Sequence, residues 1–184
     1  MSKKSMILPN LLIIAGTGNK SGKTTMACHL TRQFKQLKIV SVKITPHFHE
    51  TTPGLVLISE GKGYAVYEET NEDLSKDTSR MLKAGASRVF LAKVTDESLL
   101  NAFEDFYKRI PPDVPVICES PALRRFVEPG LLIIMISSEK DNQKDVKHLI
   151  KLPHAEFSLD SLSGKEELPV SFNSGKWSSW QQVY

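Results

Sequence analysis

An α/β fold with a mainly parallel sheet flanked by helices is what this 184-residue chain predicts, and three observations carry it. Strand-like runs recur at 11–15, 39–44, 88–94, 114–118 and 131–136, and the first of them, Leu11 to Ala15, is unbroken by any polar residue, the pattern of a strand buried on both faces. Between several of them lie segments with apolar residues at three- and four-residue steps, as crossover helices require. The first run breaks into a Gly/Ser/Asn turn that closes on Gly22-Lys23-Thr24 ahead of a helical segment. Strand, turn and helix in that order build an anion cradle.

In chain order, the first strand spans 11–15. The following helix lays Met26, Ala27, Leu30, Phe34 and Leu37 on one face, which fits it to the sheet while its positive N-terminus points at the turn. A second strand, 39–44, stops at Thr45-Pro46, where proline limits continuation. Two short β-rich runs, 55–59 and 64–68, flank Glu60-Gly61-Lys62-Gly63 and predict a hairpin inserted over 54–69. A helix over 75–83 is ended by Gly85, and 88–94 forms another strand. The helix over 97–110 gathers Leu99, Leu100, Phe103, Phe106, Tyr107 and Ile110 on one face before Pro111-Pro112 terminate it. Strands at 114–118 and 131–136 and a short helix at 144–150 follow. Beyond 155 the signals weaken, and Phe157, Phe172, Trp177 and Trp180 are the residues available to pack a closing strand or two. No second domain, repeat or low-complexity tract is visible, so 1–184 reads as one domain.

A chain that is 40% hydrophobic and 24% charged can bury a sizeable core. The net charge of +3 is small and spread among acidic residues, which excludes a nucleic-acid footprint. Cys28 and Cys118 fall in a helix and an apolar strand, where they read as small hydrophobes in a reducing compartment. MSKKSMILPN is too short and too weakly apolar for a signal peptide, and no apolar run is long enough to span a bilayer. The expected location is cytoplasmic.

The turn at 16–25 departs from the strict spacing G-x-x-x-x-G-K-[ST], which wants glycine at position 17. This chain has Thr17, with Gly16 before it and Gly18 after it. The backbone of Thr17, Gly18, Asn19, Lys20, Ser21 and Gly22 can aim N–H groups at one anion. Lys23 can reach the outer phosphates, Thr24 can place its hydroxyl on magnesium, and Thr25 continues the helix N-terminus. The competing reading is a Gly/Lys-rich turn without a ligand.

Gly16-Thr17, four residues, then Gly22-Lys23-Thr24 resembles the phosphate loop of dethiobiotin synthetase and the cobyrinic acid diamide synthases. Those are ATP-dependent enzymes that activate a small substrate, in the P-loop branch that includes the signal-recognition and nitrogenase-iron-protein ATPases. Downstream, Lys76-Asp77-Thr78-Ser79 leads through Met81-Leu82 into Lys83-Ala84-Gly85-Ala86, a segment similar to K-D-S-x-x-L-x-x-A-G-A of the molybdopterin-guanine dinucleotide biosynthesis protein B family, which binds GTP. These motif-level resemblances cover residues 11–136. They imply a P-loop NTPase three-layer sandwich with Mg2+ and ATP or GTP as its cofactors. The partitioning ATPases carry a signature lysine four places before the last glycine of the loop. This chain has Gly18 there, so Lys20 is not given that role.

Candidate residues gather where an open parallel sheet binds its ligands, beyond the carboxyl ends of the strands. Glu119 ends the 114–118 run and can hold magnesium or orient its water. The related families end this strand in Glu-Gly, whereas Glu119-Ser120 keeps the carboxylate and changes the turn behind it. A solvated strand-end carboxylate is the plain alternative. Asp77 opens a helix, as an aspartate of dethiobiotin synthetase does, and is a second candidate for the metal; a carboxylate favouring the helix dipole explains it equally. Lys43 resembles a lysine that dethiobiotin synthetase places near the transferred phosphate or the substrate, where a cation would neutralise developing charge. A snorkelling surface lysine is its alternative. His47-Phe48-His49 has a ligand-like spacing without a completing cluster, so a loop contacting substrate is preferred to a zinc site and plain solvent exposure to either. Residues 137–141, Ser-Ser-Glu-Lys-Asp, stand where many GTPases carry an Asn-Lys-x-Asp base reader and fail to match it in order or identity.

The catalytic candidates are therefore Lys23, Glu119 and Lys43, and the metal candidates Thr24, Glu119 and Asp77. The 76–86 segment implies an accessory GTPase or ATPase serving a partner enzyme, whereas Gly16-Thr17 and Lys43 lean toward a ligase. The alternatives are a ligase that activates a small carboxylate or carbamate, and a nucleotide-binding module without turnover. The uncovered edge of the predicted hairpin, with Tyr64 and Tyr67 available for packing, suggests a homodimer.

Overall fold

The computed structural model describes residues 5–18, 20–137 and 146–183. Strands β1 (Met6–Gly16), β2 (Val40–Thr45), β5 (Arg88–Val94), β6 (Val116–Glu119), β7 (Val127–Ile136) and β8 (Ala155–Ser158) run parallel in the order β5-β2-β6-β1-β7-β8. β3 (Leu55–Gly61) and β4 (Tyr64–Glu69) extend the β5 edge in antiparallel fashion and complete an eight-stranded sheet. The fold is thus α/β with a mostly parallel central sheet. The hairpin lies where the sequence puts it, closed by Lys62 and Gly63, and Gly63 supplies the positive φ of 80° that the tight turn needs.

Alternate residues of each buried strand face opposite layers. Leu12 and Ile14 of β1, with Ile117 and Val89, pack under α1 (Lys23–Gln33) and α2 (Asp77–Lys83) through Met26, Leu30 and Met81. Leu11 and Ile13, with Val42 and Phe90, face α3 (Leu99–Tyr107), whose Phe103 and Phe106 rings meet edge to face at 5.2 Å. Both faces of β1 are apolar because both are covered, which is why the run 11–15 shows no alternation.

Several boundaries move. α1 ends at Gln33; a 3-10 turn, Lys35–Leu37, carries Leu37 away from the helical face and is closed by Lys38 at φ 52°. α2 starts at Asp77 and α3 spans only Leu99–Tyr107, each shorter than predicted by a few flanking residues that form turns or bends. β1 and β7 are longer than predicted, beginning at Met6 and Val127 and pairing with each other across a register shift between Leu8 and Leu12. α4 (Lys147–Ile150) is shorter than 144–150, and 144–145 lie outside the described residues.

The C-terminal segment is richer than expected. β8 joins the main sheet, α5 (Leu159–Leu162) follows it, and β9 (Val170–Asn173) and β10 (Lys176–Ser179) form a separate antiparallel pair. Trp177 is fully buried against Phe34 and Phe172, with centroids at 5.2 Å and 4.9 Å. Trp180 is 76% exposed and packs no strand, contrary to expectation. Among the described residues, no helix is long and apolar enough to cross a membrane.

Candidate functional site

The carboxyl ends of β1, β2 and β6 meet at one spot. Strand register alone sets Ile14, Glu119 and Lys43 side by side, because β6 pairs with β1 on one flank and β2 on the other. Glu119 and Lys43 both point to the α1–α2 layer, two residues beyond Ile117 and Ser41 on the same face.

The turn from β1 to α1 is shaped by a glycine displaced from its usual position. A Cβ on Gly16 would stand 2.1 Å from Ser21 Oγ and 3.0 Å from Lys23 Cγ, so the loop folds back over Gly16 too closely for any side chain. With that role taken by Gly16, position 17 is free to carry threonine. Thr17 N donates to the Met135 carbonyl at 3.0 Å, and its Oγ1 accepts from Ser137 N at 2.8 Å, which moors the loop to the end of β7. Gly22, at φ 91°, caps α1 without a side-chain bond and without an acidic residue in the first turn. Lys20 also adopts a positive φ, 57°. A left-handed residue is what allows successive N–H groups of a turn to converge on one point.

Lys23 Nζ donates to the Gly18 carbonyl at 3.1 Å and to Ser21 Oγ at 3.3 Å, so the ammonium arches over the loop. Thr24 Oγ1 donates to Glu119 Oε2 at 2.8 Å in a buried contact. Glu119 is only 6% exposed, unlike a solvated strand-end carboxylate, and its Oε1 lies 3.5 Å from Lys43 Nζ. Lys43 also pairs with Asp77, the first residue of α2. Burial pulls the Lys43 pKa down, but Glu119 and Asp77 outweigh it, and the ammonium titrates above its usual range. Burial would raise the Asp77 carboxyl; Lys43, the Thr24 hydroxyl and Arg80 prevail and hold it below the usual carboxylate range. Lys43 is thus the internal countercharge of two carboxylates rather than a snorkelling surface residue.

A cleft of about 670 Å³ opens over this cluster, walled by Lys20, Gly22, Lys23, Thr24, Thr25 and Arg80 with Lys43, Asp77 and Glu119 at its floor. Of the predicted cradle, Thr17, Gly18 and Ser21 do not line the cleft; they hold the loop's shape instead. Asn19 lies outside the described residues, as do 138–141 of the base-reader comparison. His47 and His49 stack at 5.5 Å on an exposed loop at the cleft's edge. Cys28 and Cys118 are buried free thiols with pKa values raised by that burial, which keeps them protonated and suits them to packing.

Sequence reasoning missed Arg80. Its guanidinium lies 3.6 Å from Asp77 and donates to Thr25 Oγ1 at 3.4 Å, bridging α2 to the N-terminal turn of α1. The three-residue step from Asp77 on a helix was the available signal. Glu69 was missed as well. It is 2% exposed, accepts from Thr78 at 2.7 Å and Ser79 at 3.2 Å, and so pins the start of α2 that presents Asp77. A glutamate in an alternating hairpin strand gives no sequence sign of that role.

Thr24, Glu119 and Asp77 bring oxygen donors together at the cleft, the kind a hard divalent cation prefers. Among the described residues no group of three or more His, Cys, Asp or Glu side chains is arranged to hold a metal ion. Magnesium here would therefore depend on phosphate oxygens and water for much of its coordination, as it commonly does. Comparison of the chain with protein-family models, curated proteins and solved structures found no match in any of the three.

Proposed function

We propose that the chain is a P-loop protein that binds a magnesium nucleoside triphosphate over Gly16–Thr25 and turns it over. The observation that carries this reading is the buried 2.8 Å contact between Thr24, at the first turn of α1, and Glu119, at the end of the neighbouring strand. A hydroxyl and a carboxylate held together under an anion cradle are the protein's share of a magnesium–phosphate site. The ion, when bound, supplies charge neutralisation between phosphate oxygens.

The chain's own residues divide the work. Gly22 and the α1 N-terminus bind phosphate oxygens through backbone N–H groups. Lys23 leaves its resting contacts on Gly18 and Ser21 to follow the outer phosphates. Lys43, charged throughout the physiological pH range, stands by the carboxylates to offset negative charge that develops at the terminal phosphate. Arg80 adds a further cation to the cleft wall.

Lys23→Ala should abolish tight triphosphate binding and leave the fold intact, since Lys23 gives its charge to the ligand and not to the core. Glu119→Gln should keep affinity within about an order of magnitude and cut turnover by about a hundredfold. Calorimetry and phosphate release measure the two. Equal affinity in Lys23→Ala and wild type would remove the reading.

Whether the nucleotide cycle serves a partner enzyme or activates a small substrate is decided by what borders the terminal phosphate. A second, smaller cavity shares the Lys43–Asp77 wall with the cleft. That favours the small-substrate version over the accessory GTPase or ATPase. Phosphate release stimulated by a metabolite pool, and not by the protein fraction of a lysate, is the expected outcome.

A further inference from the structure

The smaller cavity, about 250 Å³, lies between β2, β5, the start of α2 and the loop 46–54. It falls below the usual range of drug-sized pockets and suits a small metabolite. Its floor continues the α1–α2 face of the sheet: Lys43 pairs with Leu91 and Thr45 with Lys93, two residues and more past the apolar Ile39 and Val89 of the same face. The face turns from apolar to cationic as it reaches the strand ends.

Lys93 is the unusual member. It is 5% exposed, donates to the His49 carbonyl, and lies over the Tyr67 ring at 5.2 Å from its centroid. Among the described residues it has no carboxylate within ion-pair distance. A buried ammonium satisfied by one carbonyl and one ring face is short of countercharge, and burial in that state is costly. Lys76, before α2, and the stacked His47 and His49 line the same cavity. The cavity's carboxylates do not correct the imbalance. Asp77 is committed to Lys43 and Arg80, and Glu50 sits on the exposed loop.

We propose that this cavity binds a small oxyanion, a carboxylate or phosphate group, with Lys93 as its buried countercharge and Lys76 at its mouth. The anion would complete the pairing that Lys93 lacks, and the shared Lys43 wall would set it beside the terminal phosphate of a nucleotide in the cleft. Its standing as a second-substrate site rests on the triphosphate reading above; anion binding itself does not.

The test follows the His49 imidazole signal by NMR while succinate, and separately inorganic phosphate, is added to the full chain without nucleotide. A saturable shift is expected in wild type and in Lys23→Ala. It should weaken by about tenfold or more in Lys93→Met and in Lys76→Ala, the scale of one charge-assisted hydrogen bond. Triphosphate affinity should stay unchanged in Lys93→Met. A shift lost in Lys23→Ala but kept in Lys93→Met and Lys76→Ala would place the anion in the main cleft and overturn the proposal while sparing the triphosphate reading. No saturable shift, or one indifferent to both lysines, would also overturn it, as an adventitious ion only. Should Lys93→Met fail to fold, Lys76→Ala decides by the same criterion. If Lys23→Ala leaves triphosphate affinity intact while Lys93→Met weakens succinate, the oxyanion site stands and its link to the nucleotide falls.

Discussion

Gly16 and Thr17 show how one backbone demand can move along a motif. The close approach that forbids a side chain falls at Gly16, where Ser21 Oγ would stand 2.1 Å from an added Cβ. Gly16→Ala should therefore force the loop open. Triphosphate affinity should fall by about tenfold or more while far-UV circular dichroism stays native, because the clash is with loop side chains and not the sheet. Unchanged affinity would mean that the loop has a second conformation that tolerates the methyl group. Thr17 carries the complementary lesson. Its identity made sense only once the Met135 carbonyl and Ser137 N–H were seen beside it, 118 and 120 residues away in the chain. Local spacing predicted an anion cradle, and a long-range tie explains why threonine is accommodated at position 17.

At the scale of elements, the inserted hairpin is fastened to the sheet as well as appended to it. Arg88 grips Glu68 through two bonds of 2.7 Å and 2.8 Å across the β4–β5 pair, and this contact holds the Glu68 carboxyl below its ordinary value. A carboxyl with a lowered folded-state pKa stabilises the fold at pH above its unfolded value, near 4.5, and that contribution disappears as pH falls through the lowered folded value. Glu68→Gln should thus be less stable than wild type by at most about 1 kcal/mol at neutral pH, given how exposed Arg88 is. The difference should vanish in acid. Chemical denaturation across pH 3 to 7 checks it, and a gap that widens below pH 4.5 would contradict the assignment. The same hairpin supplies Glu69, which orders the start of α2. Hairpin and site are connected through that one buried carboxylate.

For the whole molecule, the two sheet edges differ. Near β8 the chain's tail forms a bridge, His154 N to the Val183 carbonyl at 3.0 Å and the reverse bond at 2.7 Å. At the other edge no strand among the described residues pairs with the outer side of β3, and Val56 is 51% and Leu57 48% exposed. Tyr64 and Tyr67 are not the free residues that the sequence suggested. They stand on β4, one strand inside, where Tyr64 reaches Asp105 at 3.5 Å and Tyr67 lies under Lys93. An apolar open edge is a template for pairing. Sedimentation should show a dimer, and lysines in place of Val56 and Leu57 should give a monomer with unchanged triphosphate affinity. A wild-type monomer at tens of micromolar, about the range where modest interfaces assemble, would refute edge pairing.

The sequence by itself determined the main strands, the helices between them, the hairpin and the order strand, turn, Gly-Lys-Thr, helix. Each is written in near neighbours: apolar runs, three- and four-residue steps, glycines and prolines at fixed offsets. It also named Lys43, Asp77 and Glu119, one by one, as strand-end and helix-start residues with a plain alternative for each. Only the tertiary structure decided that the three form one cluster, since Lys43 and Glu119 become neighbours through the β2–β6 register, and Asp77 arrives on a helix that Glu69 pins. Lys93 stayed hidden for the same reason. Nothing near a lysine in Arg88–Val94 says whether its ammonium will meet water or be buried. Burial and countercharge depend on every element that packs nearby, and no single stretch of sequence contains them.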